Sequence, residues 1–441
     1  MADSFAMLSG LLRPASAGVP GRAVPVWAAN ALIAATLLLC TVHTTPFVDL
    51  SSPATIEVWE GGNLLTQIAY SALFLAALAL VARIGFARLK PLAGPLEALL
   101  VAWIGVSTLL AQAPANSMRR LALTFICIFL AAALLLVARS VRQFARSLAL
   151  TALGVLVLSY LSVVVAPRYA MHTTLDLKEP DLAGNWRGPF NHKNEAGAIM
   201  VLFVFVGLLA WNTGQRLLGG AVAGLAALFL VFTHSKTATA LLPLILLQVW
   251  LAQRFRGSLW RGLVLLGPVA LLGLVSLGSF FFRPLQELIA GTLTDTSFTG
   301  RTEIWEFALD NILKHPVSGW GYGGFWRTEE TQYGSWGTQT WLAETSQAHN
   351  AYLDTALFMG LPGLALTLLV FVARPLRDLQ RAEGGRRMDP ATVFFVSLWL
   401  YALMTGFFES VFYEGNSAIF LLFVLALFGL RFRTLAPAVA R

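Results

Sequence analysis

Apolar residues gather in runs of about 17 to 22, broken by short polar stretches rich in Arg, Gly and Pro. A run of that length, coiled as a helix, crosses a hydrocarbon layer about 30 Å thick. Twelve runs meet this test, at 26–43, 64–82, 95–112, 120–138, 147–166, 196–211, 217–233, 237–252, 262–282, 351–373, 392–409 and 416–431. The pattern predicts an all-α integral membrane protein of about twelve transmembrane helices, forming one polytopic domain over residues 1–441. No short apolar core followed by a small-residue cleavage site precedes the first run, so 26–43 reads as a retained helix. Most connections are short, but those at 167–194 and 283–349 are long. The second contains GRTEIWEFALDNILKH, with Ile304, Trp305, Ala308, Leu309 and Ile312 on one helical face. That periodicity predicts an amphipathic helix in a long outer loop between the ninth and tenth spans.

Composition agrees: 57% of the residues are hydrophobic, 12% are charged and the mean hydropathy is +0.70. The net charge of +8 would suit a nucleic-acid binder, but its distribution argues otherwise. With the N-terminus placed in the cytoplasm, 20 of the 31 Lys and Arg fall in inner segments and 18 of the 23 Asp and Glu on the outer side. Short basic loops face the cytoplasm, so both termini are expected inside. Cys40 and Cys127 lie within apolar runs and imply neither a disulfide framework nor a thiolate metal site. No two His residues have a metal-ligand spacing, and no metal is expected.

Candidate chemistry collects at three places where spans open outward. These are NHKNEAG (Asn191–Gly197), THSKTAT (Thr233–Thr239) and QAHNAYL (Gln347–Leu353), which bring His192, Lys193, His234, Lys236 and His349. A helix start already carries partial positive charge and unpaired N–H groups. Cations there work against the dipole unless an anion sits among them. Arg187 and Arg301 lie on the same side; His192, Asn194, His234 and Asn350 are supporting groups. The competing reading makes the lysines interfacial residues reaching for water.

On a continuous helix Gly360 and Gly363 lie below His349 on one face, and small residues favour close helix packing in lipid. His349 then faces a protein-lined cavity and suits proton transfer near neutral pH; the other reading is a polar border of a membrane helix. Asn350 caps the helix or steadies the imidazole. His43 and His172 read as ordinary outer-loop residues. Trp305, Trp320 and Trp326, with Trp336 and Trp341, are either interface anchors or a platform on which sugar rings stack. Glu409 and Glu414 either orient a sugar hydroxyl or are solvated. Transporters place ionisable groups near the midplane, where this chain has almost none, so a glycolipid flippase is disfavoured.

The ordered set GPFNHKNEAG, THSKTATALL, GRTEIWEFALDNILKHPVSGWGYGGFW and HNAYLDTALFMGLPG resembles the O-antigen ligase/polymerase superfamily, from about residue 180 to 370. Its HKN, SKT and GRTEIW elements look most like the exopolysaccharide-polymerase branch. The resemblance implies a GT-C-like inverting glycosyltransferase of the bacterial cytoplasmic membrane, acting on the outer face without metal, nucleotide sugar or other cofactor. The implied donor is an undecaprenyl-diphosphate-linked oligosaccharide, and the acceptor a second glycan or, for a ligase, lipid A-core. By the same analogy His349 is the base and Arg187 and Arg301 hold the departing diphosphate. Lys193 and Lys236 join them on the electrostatic argument. A partner that regulates chain length is compatible with this scheme.

Overall fold

A computed structural model describes residues 23–52, 64–255, 257–278, 282, 287, 301–326, 345–383 and 387–435. Trp336, Trp341 and most of the expected outer loop lie outside them. A helix occupies each of the twelve predicted runs: α1 (Val26–Val42), α2 (Leu64–Ile84), α3 (Pro95–Leu109), α4 (Pro114–Val137), α5 (Val141–Val165), α6 (Lys193–Asn212), α7 (Arg216–Thr233), α8 (Lys236–Ala252), α9 (Ser258–Gly273), α11 (Ala351–Leu368), α13 (Pro390–Thr405) and α14 (Ala418–Leu435). The amphipathic α10 (Arg301–Lys314) and the basic α12 (Arg374–Glu383) are two further helices. Among the described residues the sole β-pairing is an isolated Met171–Trp186 bridge.

Among the described residues, seven helices are long and apolar enough to cross a membrane, or eight when Phe86–Leu92 and Pro95–Leu109, bent by 92°, count as one span. Val26–Val42, Lys236–Ala252 and Pro390–Thr405 are shorter apolar helices. The bend falls at Ala93–Gly94, between the two helices, where a Gly94–Pro95 step starts α3.

Burial separates centre from rim. The most apolar window of α6 is 78% buried, that of α2 only 17%. The centre is α6, flanked by α5, α7, α8 and α13; α2 shows Leu65, Ile68 and Leu75 outward, as a lipid-facing helix does. Helices α6 and α7 touch backbone to backbone, because a Cβ on Gly219 would lie 2.5 Å from the Gly207 carbonyl oxygen. The end away from the three cationic helix starts is tied by ion pairs, Arg374–Glu97 at 3.0 Å and Arg431–Asp378 at 3.0 Å.

Helix α11 is not continuous. Gly360 takes φ +67° and ψ 179°, two residues before Pro362, and breaks the helix. The loop after α10 fills the break: Trp320 and Gly321 N–H donate to the carbonyls of Leu357 (2.9 Å) and Phe358 (3.1 Å), and Leu361 N–H donates to Pro316 (2.8 Å). From α3, the Ser107 hydroxyl donates to Phe358 and the Trp103 indole to Met359, each at 2.8 Å. Every carbonyl freed by the break thus has a donor. This corrects the helical-wheel expectation: Gly360 is a break point with the Val317 carbonyl against its Cα, not a small residue on the face of His349. Gly363 does serve close packing, since a Cβ there would meet the Trp103 indole at 3.1 Å.

Candidate active site

The local sequence sets His349 apart from its helix. Asn350 caps α11, its Oδ1 accepting from Tyr352 and Leu353 N–H at 3.1 Å each, while its amide donates to the Phe407 carbonyl at 3.2 Å. Ala351 N–H donates to Gly406 at 2.7 Å. These bonds fix the start of α11 against the turn after α13 and leave His349 at φ +49°, a left-handed conformation costly for a non-glycine residue. Its ring is one-third exposed.

That turn supplies a partner the sequence reading had not joined to it. His349 Nδ1 lies 3.0 Å from Glu409 Oε2, and Glu409 Oε1 lies 3.1 Å from Arg301 Nη2. Arg301 also donates through Nη1 to the Phe408 carbonyl. The Gln347 amide lies 3.4 Å from the same Nδ1, a poor length beside the charge-assisted contact with Glu409. The network therefore assigns the proton to Nδ1, donating to Glu409, and leaves the Nε2 lone pair unengaged among the described residues. Burial raises the Glu409 pKa, but the His349 hydrogen bond and the Arg301 charge outweigh it, holding the carboxyl below its ordinary value. Glu409 is neither simply solvated nor free for a sugar hydroxyl. Half-buried Glu414 faces Arg120; burial raises its pKa and Arg120 offsets part of the rise.

Among the described residues, Trp305, Trp320 and Trp326 do not form an exposed platform. Trp305 is 1% exposed, Trp320 6% and Trp326 5%, all within an apolar cluster joining α10 to the start of α11. Their indoles donate inward, Trp305 to the Ala348 carbonyl (3.0 Å), Trp320 to Asn311 (2.8 Å) and Trp326 to Asp354 (2.7 Å). Rings held on both sides cannot stack on sugars. They are the core beneath α10, whose buried face of Ile304, Trp305, Phe307, Ala308 and Ile312 fits the predicted amphipathic helix.

The cationic helix starts divide into two groups. Lys193 Nζ donates to the His234 carbonyl at 3.2 Å, and Lys236 lies close enough to repel it. A Cβ on Gly197 would meet Ser235 Cβ at 2.6 Å, so α6 and α8 abut at their starts. Lys193 thus lies beside the His234 backbone and near Lys236. Arg187 is not an open cation: it is 1% exposed and donates to Phe190 (3.0 Å) and Val48 (2.7 Å) carbonyls. Its Nε has no partner among the described residues, and burial pushes its pKa down. His192 accepts from Asn194 N–H at 3.1 Å through Nδ1 and meets Glu179 at 2.9 Å through Nε2, capping α6. No hydrogen bond or ion pair among the described residues joins these groups to His349. Both sets do occupy one end of the bundle, because α13 packs on α6 and α8 and leads directly into the turn carrying Glu409.

Two histidines expected to be ordinary loop residues are structural. His172, 2% exposed, pairs with Asp176 at 2.8 Å and accepts from Lys193 N–H at 3.2 Å. His43 pairs with Glu195 at 2.6 Å. The four-residue spacing of His172 and Asp176 was a readable signal; the 152 residues between His43 and Glu195 hid theirs. Among the described residues no group of three or more His, Cys, Asp or Glu gathers as a metal site.

Residues 221–368, from α7 through the break in α11, match the family model described as O-antigen ligase. Over this stretch, about a third of its length, the chain is similar to the O-antigen ligase family. This stretch holds Lys236, Arg301 and His349, whereas Arg187, Lys193 and Glu409 fall outside it. The chain is also 22% identical over 217 residues to the exopolysaccharide production protein ExoQ of Rhizobium meliloti (strain 1021), which covers 47% of this chain and 50% of that relative. The match thus spans half the length of the relative. Both findings bear out the superfamily resemblance read from the motifs of the O-antigen ligase domain.

Proposed function

We propose that the chain is a membrane glycosyltransferase of about twelve spans. It joins lipid-diphosphate-linked glycan units on the outer face of the bacterial cytoplasmic membrane. The observation that carries this is His349, oriented through Nδ1 by Glu409 and presenting an open Nε2. In the proposed reaction Nε2 accepts the proton of an acceptor sugar hydroxyl as that oxygen bonds to the anomeric carbon of the donor. The anomeric C–O bond to the diphosphate breaks, and the undecaprenyl diphosphate leaves with the electron pair. Attack opposite the leaving group inverts the anomeric centre. The imidazolium formed is balanced by Glu409. Lys193 and Lys236, on abutting helix starts, receive the negative charge of the departing diphosphate. Arg301 uses two of its five N–H donors on Glu409 and Phe408, so it also has donors for that anion. Arg187 is removed from this role and becomes a buried strut. The chemistry so written draws on donor, acceptor and base alone.

The similarity to an exopolysaccharide production protein favours a polymerase, in which the acceptor is another glycan. The O-antigen ligase model favours transfer to lipid A-core. Purified protein given lipid-diphosphate-linked oligosaccharide, with and without lipid A-core, separates them. A ladder of multiples without core is expected; a single product that needs core overturns the polymerase reading. His349→Ala at normal abundance should lower product formation by about 10²-fold or more, and full activity would overturn the base.

A further inference from the structure

Asp354 lies one turn into α11, 5% exposed, and no part of the proposed chemistry uses it. Among the described residues its carboxylate meets donors only. Oδ1 accepts from the Trp326 indole at 2.7 Å, both oxygens accept from Ala348 N–H at 3.2 Å, and Oδ2 accepts from the Ser410 hydroxyl. The identity of two donors gives the arrangement its meaning. Ala348 immediately precedes His349, and Ser410 immediately follows Glu409. One buried carboxylate therefore grips the chain next to the base and next to the carboxylate that orients it. Trp326 ties the same point to the cluster under α10, and the Trp305 indole holds the far side of Ala348 through its carbonyl.

The grip matters because His349 stands on left-handed backbone, which persists only where its surroundings over-determine it. The His349–Glu409 contact spans 60 positions of sequence and joins two different turns, each with its own freedom. A buried acid is retained where converging donors repay its desolvation. Asparagine has one acceptor oxygen, so one of its faces would present N–H to N–H or O–H.

We propose that Asp354 is a positioning residue for the transfer reaction: it sets the distance and angle between His349 and Glu409 by holding Ala348 and Ser410. The inference rests on the reading of His349 as base.

The test measures transfer from lipid-diphosphate-linked oligosaccharide to a glycan acceptor. Asp354→Asn should lower kcat by about 10- to 100-fold while KM for the donor stays within about twofold, as expected for a misplacement near 1 Å. Because the effect runs through the pair, the same change in a Glu409→Gln background should cost less than about threefold. A merely structural role predicts multiplying losses, falling abundance and no such masking. Ser410→Ala, which deletes one hydroxyl, should lower kcat in the same direction by a smaller factor and decides the matter alone if Asp354→Asn does not fold. Unchanged kcat in either variant, or losses that multiply in the double variant, overturns the proposal. A fully active His349→Ala protein instead removes the base reading itself. An inactive His349→Ala beside a fully active Asp354→Asn removes only the role of Asp354.

Discussion

His349 was legible from its neighbours, because a His–Asn pair at the start of an apolar run predicts both a capped helix and an imidazole at its lip. Its partner was not. Glu409 is 60 positions away, and nothing in local spacing says which of two acidic residues in the last turn meets the ring. Glu409→Gln should keep the fold and lower kcat by about 10²-fold in the transfer assay, since an amide neither fixes the tautomer nor balances the imidazolium. The sign of its pH dependence follows from the lowered pKa. A carboxyl held below its unfolded value, near 4.3, contributes stability above that value and loses it as pH falls through the folded one. Melting temperatures of wild type and Glu409→Gln should therefore differ at neutral pH and converge only in acid below about pH 4. Arg187 shows the opposite failure. A lone Arg between Gly and Trp looks like an anion ligand, but its guanidinium is buried against the Val48 and Phe190 carbonyls. Arg187→Ala should destabilise by about 2–4 kcal/mol, from two buried acceptors left unpaired, with donor KM unchanged in the protein that folds. A specific rise in KM would return Arg187 to the substrate site.

At the scale of elements, hydrophobic periodicity located the helices, because run length and the chemistry of the ends are local properties. The amphipathic α10 was also readable, as its apolar face repeats with the helical period. What lies against that face was not: indoles on a glycine-rich loop suit either an exposed platform or a core, and only the tertiary fold shows them buried. The helical-wheel argument failed for a similar reason, since it took α11 as unbroken from His349 to Gly363. Pro362 and Gly360 together were the local hint. Gly360→Ala should cost about 3 kcal/mol or more, read as loss of folded protein in a thermal melt. It puts a side chain on backbone at φ +67° and drives a Cβ to 2.1 Å from the Val317 carbonyl.

For the whole molecule, charge asymmetry sets the expected orientation, and the fold gathers the candidate groups at one end of a bundle centred on α6. Cys40 and Cys127 are buried, so added cysteines can be read against a quiet background. In spheroplasts, a membrane-impermeant thiol reagent should label Ala113→Cys, in the turn before α4, and leave Arg381→Cys, on α12, unlabelled until the membrane is opened. The reverse pattern would invert the topology. The meeting of the two ends of the domain was illegible beforehand: α13 packs on α6 and α8, and that long-range neighbourhood carries the 406–410 turn to His349.

The break in α11 also acts as an indexing stop. Loop residues Pro316, Trp320 and Gly321 are bonded to positions 357, 358 and 361, so His349 is counted from a fixed mark eleven residues along the chain. Inserting one alanine between His349 and Gly360 would rotate the imidazole by about 100° about the helix axis while the loop stayed docked. The length of that short segment is thus a constraint separate from its composition. Single-residue insertions or deletions there should abolish transfer in protein that still folds, where a volume-conserving swap at an apolar position of the same segment, such as Leu357→Met, is tolerated.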